Sequence, residues 1–202
     1  MAAFQNLKSS QMSGDQPGDS EVNARARATS QRGLENFEVF FEAHWPRILS
    51  ILDRLVGDAD EAEDLALEAF EKLYEARERL GAEDNPGGWL YRAAMNLGLN
   101  ALRSRYRRTW YERLAGRYTL EQATPLDPTS AAEASEEHRQ VQWVLAELKP
   151  RSARLLVLRS AGLSYQELAD ALQVGVSSIG SLLNRAEKEF EKKYRNIYGN
   201  RE

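Results

Sequence analysis

The chain predicts an all-α fold: two small helical domains joined by a flexible linker. Three observations carry that prediction. Apolar residues recur at three- and four-residue steps along most of the sequence, and no stretch alternates as a half-buried strand would. A polar segment running Thr124-Pro125-Leu126-Asp127-Pro128-Thr129-Ser130 divides the helical pattern in two. Residues 162 to 189 then read as two short helices around a tight turn, the pattern of a DNA-reading helix-turn-helix.

Each element follows from local chemistry. Residues 35 to 56 carry Phe37, Phe40, Phe41, Trp45, Ile48, Leu49, Leu52 and Leu55 at helical spacing, with Pro46 predicting a kink or a new helix start. Gly57-Asp58 is a break. Residues 59 to 80 form a second amphipathic helix with Ala62, Leu65, Ala66, Ala69, Phe70, Leu73 and Tyr74 inward. Gly81 to Gly88 reads as an irregular polar loop, and a third helix runs from Trp89 to about Tyr106. After a linker at 115–135, helical periodicity resumes near Ala134 with Val141, Val144, Leu145 and Leu148. Pro150 opens the next helix, with Ala153, Leu155, Leu156 and Leu158 inside.

In the helix-turn-helix, Ser164 and Glu167 have capping-box spacing, and Leu168, Ala169 and Leu172 give one apolar face. The turn runs through Gln173, Val174 and Gly175. Ser177 or Ser178 is placed to cap a second helix carrying Ile179, Leu182 and Leu183. The expected organisation is a disordered leader at 1–33, a first domain at 34–114, the linker at 115–135, a second domain at 136–195 and a tail at 196–202.

Composition narrows the function. At 202 residues each domain must be small, and 42% hydrophobic with 29% charged residues suits helical globular domains. The absence of cysteine excludes disulfides and thiolate metal sites and suits a reducing cytoplasm. No apolar run reaches membrane-spanning length, so no membrane insertion is expected. His44, His138 and the carboxylates have no metal-ligand or catalytic spacing, and there is no phosphate-cradling glycine loop, so neither an enzyme nor a cofactor is expected.

The net charge of −4 conceals a polarity. Acidic residues crowd the stretch from Asp58 to Asp84. Between Arg92 and Arg117 the arginines face Glu112 alone. That arrangement suggests one surface for a protein partner and another for phosphates.

The motifs Asp64-Leu65-Ala66-Leu67-Glu68-Ala69-Phe70, Trp89-Leu90-Tyr91-Arg92-Ala93-Ala94-Met95-Asn96, Leu145-Ala146-Glu147-Leu148-Lys149-Pro150-Arg151 and Gly162-Leu163-Ser164-Tyr165, in this order, resemble a bacterial sigma factor. The resemblance is to the compact extracytoplasmic-function group of the sigma-70 family, and it covers about Leu34 to Tyr194. It implies a transcription initiation factor that binds core RNA polymerase. Region 2 would meet the beta-prime coiled coil and open the −10 element; region 4 would meet the beta flap and read the −35 element.

Carried over residue by residue, Asp64, Leu65, Glu68 and Phe70 match the polymerase-binding segment. Their plain reading is a solvated acidic helix face, with Leu65 and Phe70 mostly in the core. Asn85 is the polar candidate for holding a flipped base, because an amide can pair with a base edge. Trp89 is either a buried helix-start residue or a stacking surface for an unpaired base. Arg92, Asn96, Asn100 and Arg103 share one helix face, directed at −10 DNA or at solvent. Arg103, Arg105, Arg107 and Arg108 suit phosphates, whose contacts give salt-dependent affinity without naming a sequence.

The second helix of the helix-turn-helix departs from the family by its shortage of basic residues. Its candidates for −35 contact are Ser177, Ser178, Gly180, Ser181, Asn184, Arg185 and Lys188. Modest upstream affinity is therefore expected, with help from another protein as one outcome. Two alternatives remain: a polymerase-binding adaptor brought to DNA by a separate factor, and a plain helix-turn-helix regulator. Beyond polymerase and promoter DNA, the resemblance also makes an anti-sigma factor plausible as a partner.

Overall fold

A computed structural model describes residues 37–80, 85–114 and 130–199. The leader at 1–33, most of the predicted linker and the last three tail residues lie outside these. Seven α-helices are present among the described residues: α1 Phe37–Val56, α2 Ala59–Ala76, α3 Pro86–Leu114, α4 Ser130–Glu147, α5 Pro150–Ser160, α6 Tyr165–Leu172 and α7 Ile179–Tyr198.

Helices α1 to α3 form the first bundle. Ile48, Ile51, Leu52 and Leu55 of α1 pack against Ala62, Ala66, Ala69 and Leu73 of α2 and against Leu90, Met95, Leu99 and Leu102 of α3. Small residues on α2 let the helices approach closely. Gly98 makes the same point on α3, since a Cβ there would lie 2.7 Å from Leu55 and 2.8 Å from Leu52. Helix α1 runs unbroken through Pro46. It ends at Gly57, whose φ of +70° needs no Cβ, and Asp58 then caps α2 by accepting the Glu61 N–H at 2.9 Å.

Two sequence expectations shift at the start of α3. The Gly81–Gly88 segment was expected to be irregular throughout, yet its second half is the first helical turn. Asn85 caps it, its Oδ1 accepting the Gly88 N–H at 3.1 Å, and Pro86 sits where no amide donor is needed. Residues 81–84 lie outside the described residues. Helix α3 also continues past Tyr106 to Leu114.

The second bundle comprises α4 to α7. Helix α4 begins at Ser130, inside the stretch assigned to the linker. The capping box forms as expected: Glu167 N–H donates to Ser164 Oγ at 3.3 Å, and Ser164 N–H donates to Glu167 Oε2 at 2.7 Å. The turn after α6 places the positive φ on Gln173, at 54°, rather than on Gly175. Neither serine caps α7 with its side chain; Val176–Ser178 forms a 3-10 turn that feeds directly into the helix. Ile179, Leu183, Ala186 and Phe190 then bury one stripe of α7.

The two bundles are packed against each other. Helix α3 is the common wall, touching α1 and α2 on one side and α4, α5 and α6 on the other. Gln142 on α4, only 5% exposed, donates to the Leu55 carbonyl at the end of α1 at 3.0 Å. A Cβ on Gly57 would lie 3.0 Å from that same amide. The tethered domains of the sequence reading are thus present as units, joined here by a shared polar and apolar interface.

Candidate nucleic-acid and polymerase interface

Three surfaces hold the residues singled out above. The outer face of α2 presents Asp64 to solvent, with Leu65 and Glu68 half-buried and Glu68 paired to Lys72 at 3.2 Å. Phe70 does not belong to this surface. It is 2% exposed and sits among Phe37, Phe41 and Trp45, with the Phe41 ring centroid 4.6 Å away. Its place in the helical repeat puts it over α1, so its role is packing.

Two side chains on the same helix escaped sequence reading. Leu67 is 48% exposed and Tyr74 is 47% exposed. Tyr74 was expected inward. Instead its ring meets Phe37 edge-on at 5.1 Å and carries the Arg77 guanidinium at 3.6 Å on the surface. Leu67 had a signal, as an apolar residue on the acidic side of the helix.

Along α3, Asn96, Asn100, Arg107 and Arg108 are exposed, while Trp89, Arg92, Arg103 and Arg105 are half-buried. Trp89 borders a cleft of about 220 Å³ that Asn85, Arg92, Ala169, Asp170, Gln173 and Val174 also line. The arginines divide into two sets by their partners. Arg105 pairs with Glu61 and donates to the Val56 carbonyl, so it clasps the α1–α2 corner. Arg103 donates from Nε to the Ala146 carbonyl at 3.1 Å and from Nη2 to the Leu148 carbonyl at 3.0 Å. Those acceptors are at the last turn of α4 and the residue just after it, where carbonyls lack helical partners. Arg107 and Arg108 remain solvent-facing and suit phosphates best.

The α3 N-terminus is engaged by the second bundle. Asn85 Nδ2 donates to Asp170 at 2.8 Å, and Arg47 Nη1 donates to Glu167 at 2.8 Å. Gly88 allows the approach: a Cβ there would lie 3.0 Å from the Asp170 backbone. Arg47 also lies over the Tyr91 ring, and burial pushes the Tyr91 hydroxyl above its ordinary range.

On α7 and the turn before it, Ser177, Ser178, Gly180, Ser181, Asn184, Arg185 and Lys188 are all exposed. Ser181 Oγ donates to the Ser178 carbonyl at 3.0 Å, and Arg185 Nε donates to the Ser181 carbonyl at 3.2 Å. Gly180 has room for a side chain, with Tyr165 the nearest neighbour at 3.9 Å. This helix is exposed on its candidate face, while α6 before it is turned into the other bundle. Among the described residues no cluster of His and carboxylates could hold a metal, and no helix is long and apolar enough to cross a membrane.

Two helical bundles, one ending in a helix-turn-helix and the other bearing an acidic helix beside an aromatic-basic one, make up the described residues. Sigma-70 region 2 matches residues 40–108, and Sigma-70, region 4 matches residues 138–190. The RNA polymerase sigma-H factor of Pseudomonas aeruginosa is 31% identical over 172 residues, covering 80% of this chain and 88% of that one. The ECF sigma factor SigE of Mycolicibacterium smegmatis is 28% identical over 79% of this chain and 62% of its own. SigW of Bacillus subtilis is 22% identical over 87% of this chain and 98% of its own. A solved structure of the sigma factor RpoE in complex with the anti-sigma factor NepR from Bartonella quintana aligns at a TM-score of 0.47, with 18% identity, over 80% of this chain and 98% of that one. The chain belongs to the sigma-70 family, in its extracytoplasmic-function group, and is a promoter-directing sigma factor.

Proposed function

We propose that the chain meets core RNA polymerase through the outer face of α2 and reads promoter DNA with α3 and then α7. The polymerase surface comprises Asp64, Leu65 and Glu68 together with the exposed Leu67 and Tyr74. Apolar side chains amid carboxylates favour a protein partner over a phosphate backbone, because they add burial to charge complementarity. The −10 surface runs along α3: Asn85 and Trp89 receive an unpaired base, Asn96 and Asn100 line the strand, and Arg92, Arg103, Arg107 and Arg108 meet phosphates. The −35 surface is Ser177, Ser178, Gly180, Ser181, Asn184, Arg185 and Lys188. The role calls for binding rather than covalent chemistry, and it is exercised in the cytoplasm, where the polymerase works.

The observation that carries this reading is the layout of α3. Its exposed asparagines and arginines follow one long helix that starts at a polar cleft bordered by Trp89. Two modest contacts on one chain gain from effective concentration, so neither bundle must bind tightly alone. A fluorescently labelled −10 single strand tests the reading directly. Asn96→Ala and Asn100→Ala, both at exposed positions, should each weaken it at constant fold stability, and unchanged affinity in both would remove the strand from α3.

The adaptor reading keeps one observation in its favour. Arg185, one of the few basic residues of the reading helix, is turned along its own helix onto Ser181. Gly180→Arg separates the two readings, because the site has space for a side chain. A direct −35 reader gains upstream affinity and a steeper salt dependence from it. An adaptor gains neither.

A further inference from the structure

The most exposed large aromatics among the described residues sit side by side near the end of α3: Trp110 is 56% exposed and Tyr111 66%. Neither belongs to the polymerase, −10 or −35 surface. Shelter for a ring exists close by, since Tyr106, one turn earlier, is half-buried and meets Trp143 edge-on at 4.8 Å. Adjacent exposed rings of this size, unlike a single apolar residue on a surface, mark an interaction site.

Their surroundings select the partner. Asn96, Asn100, Ser104, Arg107 and Tyr111 recur at three- and four-residue steps, so Tyr111 continues the helix face proposed to hold the −10 strand. Arg107 and Arg108 are exposed on the turn before the rings. Among the described residues neither arginine is ion-paired, and neither the Trp110 indole N–H nor the Tyr111 hydroxyl is hydrogen-bonded. On α4, Glu136 is paired with Arg139 at 2.6 Å and so adds no net charge. Rings set among cations suit a polyanion, whereas the apolar side chains of α2 stand among carboxylates.

We infer that Trp110 and Tyr111, with Arg107 and Arg108, clamp the backbone of duplex DNA just upstream of the melted −10 segment. The inference rests on the −10 reading of α3. The helix rises about 16 Å from Asn100 to Tyr111, or about five nucleotides at ~3.4 Å each. The unpaired base is held at the N-terminal end of α3, and the −35 reader follows its C-terminal end in the chain. DNA beside Tyr111 is therefore the spacer between the two elements. Bases in a duplex are stacked on one another, so the rings meet sugar and phosphate. The indole N–H and the phenol hydroxyl donate to phosphate oxygens, and the guanidinium groups add charge. Such contacts fix register without reading sequence. This end of α3 is exposed with the bundles packed, so the clamp needs no separation of them.

The test measures anisotropy of the full chain with two labelled probes at fixed salt. One is the −10 single strand; the other carries the same strand with about ten base pairs of duplex upstream, too short to reach the −35 element. The natural chain should bind the longer probe about tenfold more tightly, as two added charge-assisted hydrogen bonds at an exposed site would give. The double variant Trp110→Ala, Tyr111→Ala should bind the short strand as the natural chain does and lose most of that gain. Tyr111→Phe, which keeps the ring, should lose part of it. No gain in the natural chain, or an equal gain in the double variant, overturns the clamp while leaving the −10 reading in place. The gain kept and core polymerase binding lost in the double variant overturns it in favour of a protein partner. Failure of the natural chain to bind the short strand removes the −10 reading, and the clamp with it.

Discussion

Asn85 Nδ2 donates to the Asp170 carboxylate at 2.8 Å while Asn85 Oδ1 caps α3 through the Gly88 N–H. Both ends of that amide are thereby occupied, and it cannot at the same time pair with a base edge. The packed arrangement is closed to the −10 strand at this point. Removing the carboxylate should favour strand binding. A hydrogen bond to a charged group contributes about 1.5–3 kcal/mol, and partial exposure reduces this to about 1 kcal/mol, or about fivefold. Asp170→Ala should tighten binding of a labelled −10 strand by about that factor, as read by anisotropy.

Gly88 and Gly98 separate interface packing from bundle packing. A Cβ on Gly88 would meet the α6 backbone, whereas one on Gly98 would meet Leu52 and Leu55 inside the first bundle. Overpacking costs about 1–3 kcal/mol at either place. Small-angle scattering should show Gly88→Ala expanding the particle with helicity retained. Gly98→Ala should instead lower the unfolding midpoint of the first bundle.

Phosphate contacts should follow the division among the arginines. Arg107 and Arg108 face solvent, while Arg105 is held by Glu61 and the Val56 carbonyl. Alanine at Arg107 or Arg108 should each reduce the log–log salt slope of DNA binding by about one. Arg105→Ala should leave the slope unchanged and lower thermal stability.

On α2 the same logic parts surface from core. Phe70→Ala should destabilise the chain by about 3–5 kcal/mol through a core cavity. Leu67→Asp should change stability by less than about 0.5 kcal/mol and weaken binding to core polymerase. Denaturant melts paired with polymerase pull-down distinguish them.

Two half-buried groups make stability depend on pH. Burial lowers the His44 pKa below its ordinary 6.5, despite the hydrogen bond between Nδ1 and the Phe40 carbonyl. The unfolded chain then takes up the proton first, so stability falls as pH drops below about 6.5. Burial pushes Tyr106 up to about 12, its hydroxyl donating to the Arg139 carbonyl at 3.1 Å, so stability falls as pH rises from 10 towards that value. His44→Gln should flatten the acid side of a melting-midpoint profile and Tyr106→Phe the alkaline side.

Elements whose cause is local were legible in the sequence. The Ser164–Glu167 capping box and the buried stripe of α7 need only neighbours within a turn or two. The start of α3 was harder, because Gly87 and Gly88 suggest a loop while Asn85 and Pro86 carry a helix-start signal that outweighs them. Tyr74 misled because an aromatic at a near-core position can lie flat on the surface. The packing of the bundles had no signature. Asn85 and Asp170 are 85 residues apart, Gln142 and Leu55 are 87 apart, and neither pair leaves a period in the chain.

Run-off transcription with purified core polymerase and a promoter library tests the central claim most directly. The account predicts specific initiation from a subset of promoters sharing −10 and −35 elements, enhanced by Asp170→Ala and weakened by Leu67→Asp. Polymerase binding with no specific initiation from any promoter, in the natural chain and in Asp170→Ala alike, would contradict it.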